Sequence, residues 1–274
     1  MKMRRSERIV AVTKILVDQP YELISLNYFT KRFDAAKSTI SEDLTIIKKV
    51  FKAEGMGQIE TVAGAGGGVR FIPAKETSDI KAIIEQLCTD ISDPERILPG
   101  GYIYMTDIIF APDKISEIGK IFATKFAGLE ADYIITMETK GIPIALMVAR
   151  YLNLPLVSIR RDNRVTEGSV VSINYVTGSS QKIETMSLAR RALPEGSKVI
   201  LIDDFMKAGG TARGMIDLMN EFKAEVLELG VLVETALPKE KLVEDYTSLI
   251  ILEEVNKAKN KINLRPSDWI LRKD

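Results

Sequence analysis

The stretch Val199-Ile200-Leu201-Ile202-Asp203-Asp204-Phe205-Met206-Lys207-Ala208-Gly209-Gly210-Thr211 holds the residues best suited to chemistry. Its four leading apolar residues read as a buried strand, which two adjacent carboxylates end. A glycine pair and a threonine follow, and then a helical pattern begins (Met215, Ile216, Leu218, Met219, Phe222). In a parallel α/β sheet, ligands sit where loops leave the carboxyl ends of strands. A Gly-rich loop feeding a helix offers bare N–H groups and a positive dipole end to a phosphate. The aspartates suit ribose hydroxyls, which donate to carboxylates, or a hydrated Mg²⁺. A ligand with all three features is a phosphorylated ribose.

A second strand-loop-helix precedes it. Tyr133-Ile134-Ile135-Thr136-Met137 reads as a buried strand, Glu138-Thr139-Lys140-Gly141-Ile142-Pro143 as its loop, and Ile144 to Tyr151 as a helix. A third strand, 155–159, runs into Arg160-Arg161-Asp162-Asn163-Arg164, a cationic cluster able to neutralise pyrophosphate. Between Ser169 and Lys182, Val171, Ile173 and Tyr175 alternate, and Gly178-Ser179-Ser180 turns the chain. Together these resemble the type I phosphoribosyltransferases, whose phosphoribosyl pyrophosphate (PRPP) motif is an apolar strand, two acids, a variable pair and Thr-Gly-Gly-Thr. Ala208 stands where many members have threonine, with Lys207 before it, so the loop loses a hydroxyl and gains a cation. The resemblance implies that 138–143 is the pyrophosphate loop and that the hairpin closes over the site.

Composition limits the chemistry. With no histidine, His-based triads, His general bases and His-ligated zinc are excluded. One cysteine, Cys88, forms no internal disulfide and fits a reducing cytosol, so a cytoplasmic protein is expected. No apolar run reaches the ~18 residues of a membrane span, and no signal-peptide h-region follows the basic first residues, so no membrane partner is expected. Net charge is zero, but residues 1–75 hold 13 Lys/Arg against 8 Asp/Glu and the rest 25 against 30. A basic module on an acidic body suggests that the first module meets a polyanion.

That module must position those charges. Ile9, Val12, Ile15 and Leu16 predict a helix over 6–18; Leu26, Phe29 and Phe33 predict a second. Ile40, Leu44, Ile47 and Phe51 form the inward stripe of a third, opened by Thr39 and Glu42 as a capping box or by Ser38 as the cap. The strands Gln58–Val62 and Gly68–Ile72 flank the glycine-rich tip Gly64-Ala65-Gly66-Gly67-Gly68. Helix-turn-helix plus hairpin is a winged-helix outline, which places Lys37, Ser38, Thr39, Ser41 and Thr45 toward the major groove. Arg4, Arg5 and Arg8 are expected on backbone phosphates, and Gly66, Gly67 and Arg70 of the wing near the minor groove or phosphates.

The expected architecture is thus α/β: a winged helix-turn-helix domain over 1–73, then a type I phosphoribosyltransferase-like domain with a mainly parallel sheet over 74–274. Tyr102–Met105 is expected as a strand, Val226–Val233 and Ser248–Leu252 as later ones, and the tail through Trp269, Ile270 and Leu271 as a lid or hood. Over essentially the full length, the chain resembles the purine operon repressors (PurR type) of Gram-positive bacteria. The resemblance rests on Ala36-Lys37-Ser38-Thr39-Ile40-Ser41-Glu42-Asp43-Leu44, the glycine wing, and Asp203 to Thr211. It implies a homodimer that binds double-stranded operator DNA, represses purine synthesis and transport genes, and is released by PRPP, with Mg²⁺ accompanying the ligand. The transferase fold is then kept for sensing, with no catalytic residue and no dedicated metal site.

In that scheme Asp203 and Asp204 take the ribose hydroxyls. Lys207, Ala208, Gly209, Gly210 and Thr211, entered through Met206, take the 5′-phosphate; Thr139, Lys140, Gly141 and Arg160 take the pyrophosphate. Tyr102 and Phe205 stack on a base if a nucleotide enters, and guanosine tetraphosphate is one possible competitor. Two alternatives stay open at this stage: an active purine phosphoribosyltransferase, and a phosphoribosyl-binding module with a protein-docking headpiece.

Overall fold

The computed structural model describes residues 3–272, except 65, 163–167 and 178–181. Asn163, Arg164, Ala65 and the turn residues Gly178, Ser179 and Ser180 therefore lie outside the described residues. The first module comprises α1 (Arg5–Asp18), α2 (Leu26–Phe33), α3 (Lys37–Ala53) and the antiparallel pair β1 (Gln58–Val62) and β2 (Gly68–Ile72). Its core is the expected stripe: Val12 and Leu16 from α1, Phe29 and Phe33 from α2, and Ile40, Leu44, Ile47 and Phe51 from α3, closed by Ile59, Val69 and Phe71 of the hairpin. The segment before α2 adds to the hairpin, because Ile24 and Val69 exchange both N–H···O bonds at 2.9 Å. Gly68 permits this approach: a Cβ there would lie 2.4 Å from the Ile24 carbonyl oxygen.

The capping box at α3 is not formed. The helix starts at Lys37 with Ala36 as its N-cap and no side-chain cap bond, so Ser38 and Thr39 sit inside the first turn. Glu42 is directed to Arg5 instead, at 3.3 Å.

The second module begins with α4 (Thr77–Ile91), α5 (Thr106–Ile109) and α6 (Pro112–Lys125). There follow β3 (Tyr133–Met137), α7 (Gly141–Leu152), β4 (Leu156–Ile159), the hairpin β5 (Val170–Val176) and β6 (Ile183–Ala189), and β7 (Lys198–Met206). After α8 (Gly210–Glu221) come β8 (Glu225–Thr235), β9 (Thr247–Asn256), β10 (Lys261–Pro266) and α9 (Asp268–Leu271). Six strands form one sheet in the order β10-β9-β8-β7-β3-β4, parallel except for β10. Side chains alternate across β7: Ile200 and Ile202 pack in the core with Phe122 and Val148, while Val199 and Leu201 pack with Met215 and Leu218. Both faces are thus covered, as a parallel sheet requires. From β3 the chain moves outward to β4, then returns to place β7 on the other side of β3. The order reverses between β3 and β7, and the loops leaving these two strands flank that crevice.

Two expectations change here. Tyr102–Met105 is no strand: Gly100 and Gly101 take φ of 86° and 83°, the Leu98 N–H donates to the Tyr102 carbonyl at 2.8 Å, and only Ile103 forms a bridge, to Ile97. Nor is the tail a lid. β10 pairs along β9, Ile270 is buried in the core that α4 shares, and the Trp269 indole donates to the Ser248 carbonyl at 2.7 Å. The modules meet at a joint. Lys75 pairs with Glu117 at 2.5 Å and its amide donates to Thr124. Tyr21, from the first module, packs against the second module's core, its hydroxyl buried with no hydrogen-bond partner among the described residues.

Candidate ligand cleft and nucleic-acid interface

A cleft of about 1030 Å³ opens at the switch point. Asp203 to Ala212 form one wall, Lys140 and Arg161 another, and Leu98 to Ile103 with Leu252 to Val255 the far side. Asp203 is buried, and its Oδ1 accepts the Asp204 N–H at 3.0 Å. Burial, and then the neighbouring Asp204 charge, push the Asp203 carboxyl well above the usual carboxylate range. Burial raises Asp204 as well, against the opposing pull of Lys140. Gly209, at φ +83°, turns the chain into α8, where Gly210 and Thr211 form the helix N-terminus. The second loop reaches the cleft through Lys140. Gly141 opens α7 behind it and must be glycine, since a Cβ would lie 2.2 Å from the Thr136 hydroxyl.

Most of the expected residues converge: Tyr102, Lys140 and the run Asp203, Asp204, Phe205, Met206, Lys207, Ala208, Gly209, Gly210 and Thr211 all line this cleft. Thr139 and Gly141 belong to the same loop without lining it. Arg160 departs from expectation. It lines a separate cleft between β4 and β6, and its backbone bridges to Ser187. Arg161 takes the place instead. Its N–H donates to Glu138 Oε1 at 2.8 Å and its guanidinium pairs with Glu184 at 3.2 Å, while Glu184 accepts from the Tyr175 hydroxyl at 2.8 Å. Burial and then the Glu184 contacts push Tyr175 up to about 12. The signal was available, because consecutive residues leaving a strand point to opposite sides, so only one of the two arginines could face the crevice.

The raised carboxyls carry a stability consequence. An acid whose folded pKa exceeds its unfolded value stabilises the fold fully only below the unfolded value, and that contribution is lost as pH rises through the folded one. The double variant Asp203→Asn, Asp204→Asn is therefore expected to melt several degrees higher than wild type at neutral pH, ligand-free. The gain should vanish on acidification toward the ordinary carboxylate range, and thermal melts across pH read it directly.

Residues 4–73 match the model of the bacterial purine repressor N-terminal domain, and residues 107–264 that of the phosphoribosyl transferase domain. The purine biosynthesis transcriptional repressor PurR of Bacillus subtilis is 50% identical over 270 residues, 98% of this chain and 95% of that protein. The chain belongs to the bacterial purine repressor family. The purine biosynthesis transcriptional activator PurR of Lactococcus lactis is 40% identical over 96% of this chain and 97% of its own length. Adenine phosphoribosyltransferase of Thermoanaerobacter pseudethanolicus superposes with a TM-score of 0.53 at 20% identity, covering 61% of this chain and 98% of that one. That last likeness concerns the fold alone.

In this purine repressor family member, the N-terminal half of α3 is exposed at Lys37, Ser38 and Ser41 and half-buried at Thr39. The Ser41 hydroxyl donates to the Lys37 carbonyl at 3.0 Å and the Thr45 hydroxyl to the Ser41 carbonyl at 2.9 Å, leaving their oxygens as acceptors. Arg4 and Arg5 are exposed, as are Gly64 and Gly66 at the wing tip, while Gly67 is half-buried. Arg70 is half-buried and pairs across the hairpin with Glu60 at 2.5 Å. Arg8 is the clear departure. It is buried at 7% exposure, and its Nε donates to Asp43 at 2.5 Å, itself at 0%. Arg5 adds a second bond to Asp43 at 3.2 Å. Arg8 ties α1 to α3 and is withdrawn from any phosphate. The hint was Asp43, an acid on the inward side of the third helix that demands a partner.

Proposed function

We propose that this protein is a cytoplasmic transcriptional repressor of purine biosynthesis and transport genes. It binds double-stranded operator DNA as a homodimer and is released by PRPP. The observation that carries this reading is the union of two sites in one chain: a winged helix, and a crevice where Asp203, Asp204, the 207–211 loop and Lys140 meet. The acids take the ribose hydroxyls, the Gly209-Gly210-Thr211 turn the 5′-phosphate, and Lys140 with Arg161 the diphosphate. Two carboxylates at a strand end suit a Mg²⁺ that arrives on the diphosphate; among the described residues no three metal-ligating side chains cluster. No reaction is assigned to the cleft, which acts by binding. Because the cleft is wide and apolar at Tyr102 and Phe205, a purine nucleotide bearing diphosphates, such as guanosine tetraphosphate, competes with PRPP there.

Release then follows from linkage: a ligand that binds the DNA-free form more tightly lowers DNA affinity by the same factor. Anisotropy of a labelled purine-operon promoter duplex, with and without PRPP and Mg²⁺, tests the reading. Salt-dependent binding that PRPP weakens is expected; no DNA binding at low salt overturns it. Lys37→Ala is expected to weaken binding about 10-fold and to reduce the magnitude of the salt slope by about one. Thr39→Ala weakens binding without changing that slope, and neither alters PRPP affinity.

A further inference from the structure

The 207–211 loop does not hold its shape alone. Its glycines give it freedom, and an anion site needs its N–H groups turned inward and its carbonyl oxygens turned away. A distant segment, 241–243, meets this need residue by residue. The Lys241 ammonium donates to the Lys207 carbonyl at 2.5 Å and to the Thr235 carbonyl at 2.5 Å, tying the loop to the end of β8. The Leu242 N–H donates to the Ala208 carbonyl at 2.9 Å. Val243 packs beneath Gly209, where a Cβ would lie 3.2 Å from its Cγ2. The single Thr235 hydroxyl proton goes to the Leu237 carbonyl at 2.6 Å, which leaves the Lys207 carbonyl to Lys241. Lys241 does not line the cleft.

We infer that Lys241 is a positioning residue for phosphate capture: its ammonium draws the Lys207 carbonyl away from the ligand, so that the loop presents donors only. This deepens the effector-binding reading above and rests on it. Charge-assisted bonds of this kind are the stronger class, and partial burial has already lowered the Lys241 pKa, so the ammonium is held here by its carbonyl partners at some desolvation cost. Without it the Lys207 carbonyl is free to rotate toward the incoming anion and repel it.

The test compares full-length wild type with Lys241→Met and Lys241→Arg. Calorimetric titrations use ribose 5-phosphate, inorganic pyrophosphate and PRPP with Mg²⁺. Loss of one charge-assisted bond set is expected to weaken ribose 5-phosphate and PRPP about 10- to 100-fold in Lys241→Met. Pyrophosphate, held by the other loop, should bind as in wild type, and effector-free DNA affinity should not change. Lys241→Arg, which keeps the cation, should recover most of the lost affinity. In the ligand-free protein, amide exchange at Leu242 should quicken in Lys241→Met while the melting temperature stays within about 2 °C. Wild-type exchange at Leu242 in the Met variant, or equal weakening of both probes, overturns the inference. If wild type binds neither PRPP nor ribose 5-phosphate, the effector reading fails instead, and the exchange arm still judges the brace.

Discussion

Asp203→Ala combined with Asp204→Ala gives a protein that holds operator DNA at wild-type affinity and is not dislodged by PRPP. The two carboxylates end β7 at the switch point, one of them buried, directly beside the glycine turn that opens α8. Charge-assisted hydrogen bonds are each worth about 1.5–3 kcal/mol. Removing two should weaken PRPP by at least about 100-fold. Because coupling is reciprocal, a ligand that no longer binds cannot lower DNA affinity. The winged helix uses none of these atoms, and removing two adjacent like charges, one buried and one half-buried, should not harm the fold. The measurement is a PRPP titration of the preformed complex by anisotropy. Dissociation of the variant at the wild-type PRPP concentration would show that the diol is not held here.

Asp43→Ala unfolds the first module, and Arg8→Ala destabilises it less, because Arg5 still donates to Asp43. Breaking a buried ion pair from one side strands the other charge, at a cost of about 3–5 kcal/mol, and a module of some seventy residues has little more than that in total. Asp43 at 0% exposure is the more severe loss, because Arg5 and Arg8 both donate to it. In Asp43→Ala we expect loss of protection from amide exchange over α1 and α3, and DNA binding lost with it. An arginine acting on a phosphate behaves differently: its alanine variant stays folded, binds DNA about 10-fold more weakly and loses about one unit of salt slope. Exchange and salt titration together separate the two roles of arginine in this module.

Much of this architecture was legible in the sequence because local pattern and tertiary role coincide. The stripe Ile40, Leu44, Ile47 and Phe51 is both a helix period and a core face. The run Val199 to Ile202 is apolar on both sides because both faces of its strand are covered. The two strand-loop-helix units that meet at the cleft were legible because glycine marks where each chain must turn tightly into a helix. What escaped depends on distance. Arg8 and Asp43 are thirty-five residues apart, and periodicity does not say that an inward acid has found its partner. Arg160 and Arg161 are neighbours, and only the end of β4 decides which one faces the crevice. Lys241 sits in an irregular segment with no pattern, and its role exists only because the chain returns beneath the 207–211 loop. The tail was misread although Lys261-Ile262-Asn263-Leu264-Arg265 alternates polar and apolar as an edge strand does, because its partner β9 is fixed only by tertiary pairing.

For the proposed operator-binding homodimer, the joint between the modules has a consequence for how DNA is measured out. Tyr21 is set against the second module's core and Lys75 is pinned to Glu117 and Thr124, with only Pro73 to Glu76 between β2 and α4. A headpiece on a loose tether would sweep a volume and accept half-sites at many separations. This one is carried like the jaw of a caliper, and its aim is set by the body to which it is bolted.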